Sequence, residues 1–174
     1  LLAEKVKLKD GRTVLIRKFQ MDDKEKLIEM YASLSDEAVR WGMPPYNRER
    51  LEHGWFSNFQ NMIAIIALYR GNVVGHAQIF KNPHARRRGT GDLVMYLHQS
   101  FHNVGLGTAM LARLIELAKE EGLHRVGLHV VADNKIAVHL YQKFGFKIEG
   151  TMKDAYFGED GKHYDELVMG LLLN

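Results

Sequence analysis

The chain has no cysteine among its 174 residues. Disulfide staples, thiolate catalysis and cysteine-based zinc sites are therefore excluded. No apolar run approaches the roughly 20 residues that a membrane-spanning helix needs. Proline is scarce: there are three, and two stand together at Pro44-Pro45, where helical character breaks off. A large excess of one charge is missing too. Lys and Arg number 24 against 21 Asp and Glu, and a net +3 does not by itself point to nucleic acid. The opening "LLAEKVKLKDGR" shows no signal-peptide core and no small-residue cleavage site. Its first residue is not Met, which reads as a trimmed chain. These absences lead us to expect a cytoplasmic protein that does not bind membrane.

What remains is ordinary for a globular chain: 46% hydrophobic and 26% charged residues, with length for one domain over residues 1–174. No repeat, linker or low-complexity segment interrupts it. Strand-like runs flank Asp10-Gly11, a hairpin dipeptide. "MDDKEKLIEMYASL" reads as a helix with Asp22 as N-cap and Glu25 completing a capping box. Ser35 caps a short second helix, and "NRERLEHGWFSNF" reads as a third. Two strands meet at Arg70–Asn72, and a further strand covers "DLVMYLH".

The clearest helix spans "GLGTAMLARLIELAKEEG". Leu106, Met110, Leu114, Leu117 and Ala118 form its apolar stripe, and Gly122 ends it. A strand, a short helix and two last strands follow. Two strand–helix–strand units imply parallel pairing, and the rest reads as antiparallel. The expected class is α/β: a mixed, mostly antiparallel twisted sheet with helices on its faces.

Two segments carry chemistry. In "FHNVGLGTAML", glycines two apart open the long helix. The dinucleotide fingerprint G-x-G-x-x-G is not met, and no Gly-Lys-Ser/Thr follows for a P-loop. Backbone N–H groups from Asn103 to Thr108 still suit an anion at a helix N-terminus. A plain strand-to-helix turn explains the glycines equally well. In "NKIAVHLYQKFGF", Asn134, Ala137 and Tyr141 share one helix face. Capping by Asn134 and a core role for Tyr141 account for that segment taken alone.

Together, in order and spacing, the two segments resemble the GNAT superfamily of acyl-coenzyme A-dependent N-acetyltransferases. Its pattern is R/Q-x-x-G-x-G/A opening a helix, then a strand, then N-x-x-A-x-x-L-Y-x-K-x-G-F. The second motif matches at Asn134, Ala137, Leu140, Tyr141, Lys143, Gly145 and Phe146; the first departs at His102. The resemblance covers roughly residues 8–173. It implies the GNAT fold, with strands 91–98 and 124–131 splaying apart as a central parallel pair. It implies acetyl-CoA as cosubstrate and no metal. The pyrophosphate would lie on His102, Asn103, Val104, Gly105, Leu106, Gly107 and Thr108. The pantetheine would pass Asn134, Ala137, Tyr141 and Lys143, beside the strand end Tyr96, Leu97 and His98. A backbone N–H near Leu97 would serve the oxyanion.

By the same resemblance Tyr141 is the general acid at the coenzyme sulfur. Two residues compete as base. Asp92 opens the strand near the position where many relatives carry a catalytic Glu, and His129 lies five before Asn134, where ribosomal-protein N-terminal acetyltransferases carry one. An imidazole suits base chemistry near neutral pH. His98 and His102 are four apart, but on a strand-to-loop junction rather than on a metal-binding helix face. Arg86-Arg87-Arg88 reads as a solvated loop tip.

The resemblance implies an amine as acceptor. "LKDGRTVLIRKFQMDDKEKLIEMYASLSDEAVRW" is similar to the entry segment of Pat-type protein lysine acetyltransferases, with Lys18 in place of their Pro. That points to a protein lysine, drawn in by Asp36, Glu37, Asp154, Glu159 and Asp160. A protein N-terminus, an amino acid or a polyamine stays open, as do a homodimer and a non-catalytic acetyl-CoA sensor. No direct nucleic-acid binding is expected.

Overall fold

The structure is a computed structural model that describes residues 3–173. Its eight strands form one sheet in the order β1-β2-β3-β4-β5-β6-β8-β7. These are β1 (Glu4–Lys7), β2 (Thr13–Lys18), β3 (Met62–Tyr69), β4 (Asn72–Lys81), β5 (Thr90–Leu97), β6 (Arg125–Val131), β7 (Lys147–Phe157) and β8 (His163–Leu172). Helices α1 (Lys24–Ala32), α2 (Asp36–Val39) and α3 (Arg48–Gly54) precede β3, while α4 (Leu106–Glu120) and α5 (Lys135–Lys143) flank β6. Among the described residues no helix is long and apolar enough to cross a membrane.

One apolar layer lies between the sheet and α4 and α5. The α4 stripe is fully buried there: Leu106, Met110, Leu114, Leu117 and Ala118 are each 0% exposed. They pack on Ile65, Ala77, Ile79 and Val126 of the sheet. A second layer lies on the other face, where Phe19, Leu27, Tyr31 and Leu51 meet Ala64, Ile66 and Val73.

Two expectations are corrected. The cap before α1 is not Asp22. Gln20 N–H donates to Asp23 at 3.0 Å, and both guanidinium nitrogens of Arg17 grip the same carboxylate at 2.6 and 2.7 Å. The Asp23 carboxylate makes no cap bond to α1 but turns back to Gln20, and Arg17 of β2 holds it there, below the usual carboxylate pKa. Second, only one of the two strand–helix–strand units gives a parallel pair. β5 and β6 are parallel neighbours, but β8 inserts between β6 and β7 and runs antiparallel to both.

On the α1 face, His76 of β4 is 2% exposed and shares a hydrogen bond of 2.9 Å with the Tyr31 hydroxyl. Burial pushes its imidazole down to about 3. A histidine depressed below its unfolded value of about 6.5 contributes stability that is complete above that pH and is lost as pH falls through the window towards the folded value. Between pH 6.5 and 5 the loss from this one group is about 2 kcal/mol. We expect urea titrations to show that decline in the wild type and a flatter profile in His76→Gln.

Candidate active site

The site begins where the central pair parts. β5 and β6 pair over only three positions, Thr90↔Arg125, Gly91↔Val126 and Asp92↔Gly127. Beyond them the strands continue to Leu97 and Val131 without pairing each other. The His98 N–H bonds to Val74 O at 2.9 Å while Leu97 sits opposite Gly75. Leu97 is therefore in a non-hydrogen-bonded pair, and its own N–H and C=O face away from β4, into the gap.

On the α4 side of the gap lies the glycine loop. Asn103 (φ 60°) and Gly105 (φ 89°) both adopt the left-handed conformation, which turns the chain sharply into α4. No acidic residue occupies the first turn of α4. A Cβ on Gly107 would make ordinary contacts at 3.4 Å with Leu97 of β5 and Leu140 of α5, so strand end, loop and second helix converge there. Turned backbone and a helix N-terminus coincide here, an arrangement that suits an anionic group. His102 donates from Nε2 to Leu97 O at 2.9 Å. His98 accepts the Ser100 N–H at 3.2 Å, and burial, followed by the nearby His102, lowers its pKa.

Helix α5 closes the same side. Asn134 caps it, accepting the Ala137 N–H at 3.3 Å, and Gly145 (φ 91°) ends it. Ala137 is partly buried against the core, and Lys143 lies in the last turn. Tyr141 is 8% exposed and packs 5.6 Å from Phe146. Burial pushes its phenol up to about 12, so it is neutral at any physiological pH. The core and site readings of Tyr141 are therefore compatible, since the ring is core and the hydroxyl keeps its proton.

The opposite face differs. Leu93, Met95 and Leu97 point to the α4 layer, whereas Tyr96 packs in the α1 layer. Of Tyr96, only the backbone is left to the α4 side. By the same alternation Asp92 of β5 and His129 of β6 both lie on the α1 face. They do not lie at the same depth. Asp92 sits at the closed end, its Oδ1 3.0 Å from where a Cβ on Gly127 would stand. Five residues separate it from Leu97, about 17 Å along the strand. His129 is exposed and two residues past the last paired position, on the diverging stretch.

Part of the segment 35–59, which the sequence reading expects over the acceptor cleft, crosses this face, held by hydroxyl contacts the sequence did not reveal. The Tyr156 hydroxyl of β7 donates to the carbonyls of Arg40 and Gly42, each at 2.8 Å. The Tyr46 hydroxyl receives the Met43 N–H at 2.7 Å and makes a short hydrogen bond with the Tyr96 hydroxyl. Residues 40–46 are thus strapped from β5 to β7 across β6 and β8. Outside the strap, Trp41, Tyr164, Arg40 and the carboxylates Asp36, Glu37, Glu159 and Asp160 line a hollow of about 310 Å³. Asp154 is elsewhere, its N–H bonded to Asp165 at 3.1 Å. The arginine run 86–88 lies on an exposed loop. No group of three or more His, Asp or Glu suited to a metal occurs among the described residues.

The sheet thus splits beyond three paired positions, with a helix-N-terminal loop on one side of the split and titratable groups on the other. Residues 27–146 match the model of the Acetyltransferase (GNAT) family, and the chain belongs to that family. It is 32% identical over 106 residues to L-amino acid N-acetyltransferase AaaT of Escherichia coli, covering 60% of this chain and 65% of that protein. The match thus spans just under two thirds of that relative's length. The crystal structure of an acetyltransferase of the GNAT family from Streptococcus pneumoniae superposes with a TM-score of 0.78 at 30% identity, covering 91% of this chain and 99% of the other. That of yncA from Salmonella typhimurium, determined with its cofactor acetyl-CoA, shares the fold with a TM-score of 0.75 at 23% identity, covering 92% and 94%.

The two loop glycines differ in what they tolerate. Gly105→Ala forces a left-handed non-glycine residue, a cost of about 1–2 kcal/mol, while Gly107→Ala meets only ordinary contacts. Thermal unfolding is expected to show a lower midpoint for the first and a nearly unchanged one for the second.

Proposed function

We propose that this protein is a cytoplasmic N-acetyltransferase that moves an acetyl group from acetyl-CoA to a primary amine by direct attack in a ternary complex. The observation that carries this is the splay: Leu97 N–H faces a gap with the anion cradle on one side and His129 on the other. Family membership supports acetyl-CoA as the donor. In this reading the loop 103–108 binds the coenzyme pyrophosphate, and Leu97 N–H stabilises the oxygen that becomes negative on attack. His129, rather than Asp92, removes the amine proton, because Asp92 is held at the closed end. Tyr141 offers its hydroxyl to the departing sulfur. A phenol near 12 is a weak acid beside a thiol near 8.5, so the tyrosine stabilises the developing thiolate by hydrogen bonding before any proton moves.

The acceptor we favour is an α-amine, as in a free amino acid or a peptide N-terminus. An α-ammonium, at about 7.7–8.0, yields its proton to a base near neutral pH far more readily than a lysine ammonium at about 10.4. The similarity to an L-amino acid acetyltransferase supports the same choice. A lysine side chain is the second reading, favoured by the acidic rim of the hollow beside the strap.

A screen of amino acids, free-N-terminus peptides, internal-lysine peptides and polyamines should find turnover with α-amines, and Tyr141→Phe should cut kcat about 10²-fold or more with acetyl-CoA affinity nearly intact. Turnover of internal lysines alone would move the acceptor to the second reading; turnover of nothing would remove the enzymatic one. For the base, the acidic limb of the kcat/KM profile should vanish in His129→Asn and persist in Asp92→Asn. The reverse pattern assigns the base to Asp92.

A further inference from the structure

His102 stands where the family pattern carries Arg or Gln, and its Nε2–H is already committed to Leu97 O. None of the residues 103–108 is cationic. Any side-chain cation at the phosphates therefore comes from outside the loop, and the β1–β2 hairpin brings one to its edge. Lys9 N–H donates to Val104 O at 3.0 Å. The Lys9 Cγ and Cε lie 3.7 Å from the point that a Cβ on Gly105 would occupy, and apart from its chain neighbours and its own helix the nearest atoms there are those of Lys9. The lysine stem therefore crosses the residue that caps α4. Lys9 is exposed and takes part in none of the ion pairs among the described residues, unlike Lys18, Lys24, Lys81 and Lys153.

The hairpin that carries Lys9 is fixed against the loop by a different residue. Arg12 pairs with Asp10 at 2.6 Å, donates to Ser100 O at 2.6 Å and stacks 3.7 Å from the centre of the Phe101 ring. Arg12 is spent on structure, which leaves Lys9 as the free cation of the turn. We infer that Lys9 supplies the side-chain cation for the coenzyme pyrophosphate at the loop 103–108, an assignment that rests on the acetyl-CoA reading above. The ammonium is the right chemistry: a compact charge on a flexible stem that meets phosphate oxygens as a point donor.

Calorimetric titration of the full chain with CoA and with 3′-dephospho-CoA tests it. Lys9→Ala should weaken both about tenfold, Lys9→Arg should keep most of the affinity, and the ligand-free thermal midpoint should not move. Equal affinity in wild type and Lys9→Ala overturns the inference. So does a loss seen with CoA but absent with 3′-dephospho-CoA, which would move the contact to the 3′-phosphate. A wild type that binds neither ligand would instead bring down the acetyl-CoA reading, and this inference with it.

Discussion

The short parallel pairing of β5 and β6 is the constraint on which the rest depends. Three paired positions hold the two halves of the sheet together, and five more residues of β5 run on without a neighbour on that side. Backbone groups facing away from water need partners, so an unpaired strand end inside a fold is costly unless something else uses it. Here the unpaired end is where the proposed site lies. Every feature that bears on function is placed by its relation to that fork: the loop and α5 on one face, the strap and His129 on the other.

The two faces are built by different means. The α4 face is a conventional apolar layer, with the stripe from Leu106 to Ala118 fully buried. The α1 face carries much more polarity: His76 and Tyr31 bonded in the interior, and Tyr46, Tyr96 and Tyr156 holding a segment by their hydroxyls. Gly42 lies beneath that arrangement, and a Cβ there would stand 2.7 Å from both the Tyr46 and Tyr96 oxygens. The α1 side of the fork is thus bordered by groups with hydrogen-bonding capacity, while the opposite face seals the core.

Local patterns in the sequence revealed what local forces decide. The α4 stripe, the Asp10-Gly11 hairpin, the Ser35 and Asn134 caps and the glycine ends of α4 and α5 could all be read from residue type and spacing. Strand order was less legible. β6, α5 and β7 read as a parallel unit, yet β8 takes the place beside β6, because cross-strand packing rather than sequence adjacency selects neighbours. That no acid side chain caps α1, Asp23 turning back to Gln20 instead, follows from Arg17, whose reach from β2 is a tertiary fact. That the segment 35–59 covers this face was legible, but the hydroxyl anchors of the strap were not, since they join residues 50 and more than 110 positions apart. Asp92 and His129 were equal on sequence; only the point at which pairing stops separates them.

The bond from His102 to Leu97 O gives the departure at that position a further meaning. A strand end with no neighbour on one side is prone to fray, and the neighbour that β6 would have supplied is gone by Leu97. The imidazole fills one rung of that missing ladder. A side chain thereby acts as a surrogate strand, and the residue whose N–H faces the cleft keeps its orientation without closing the fork.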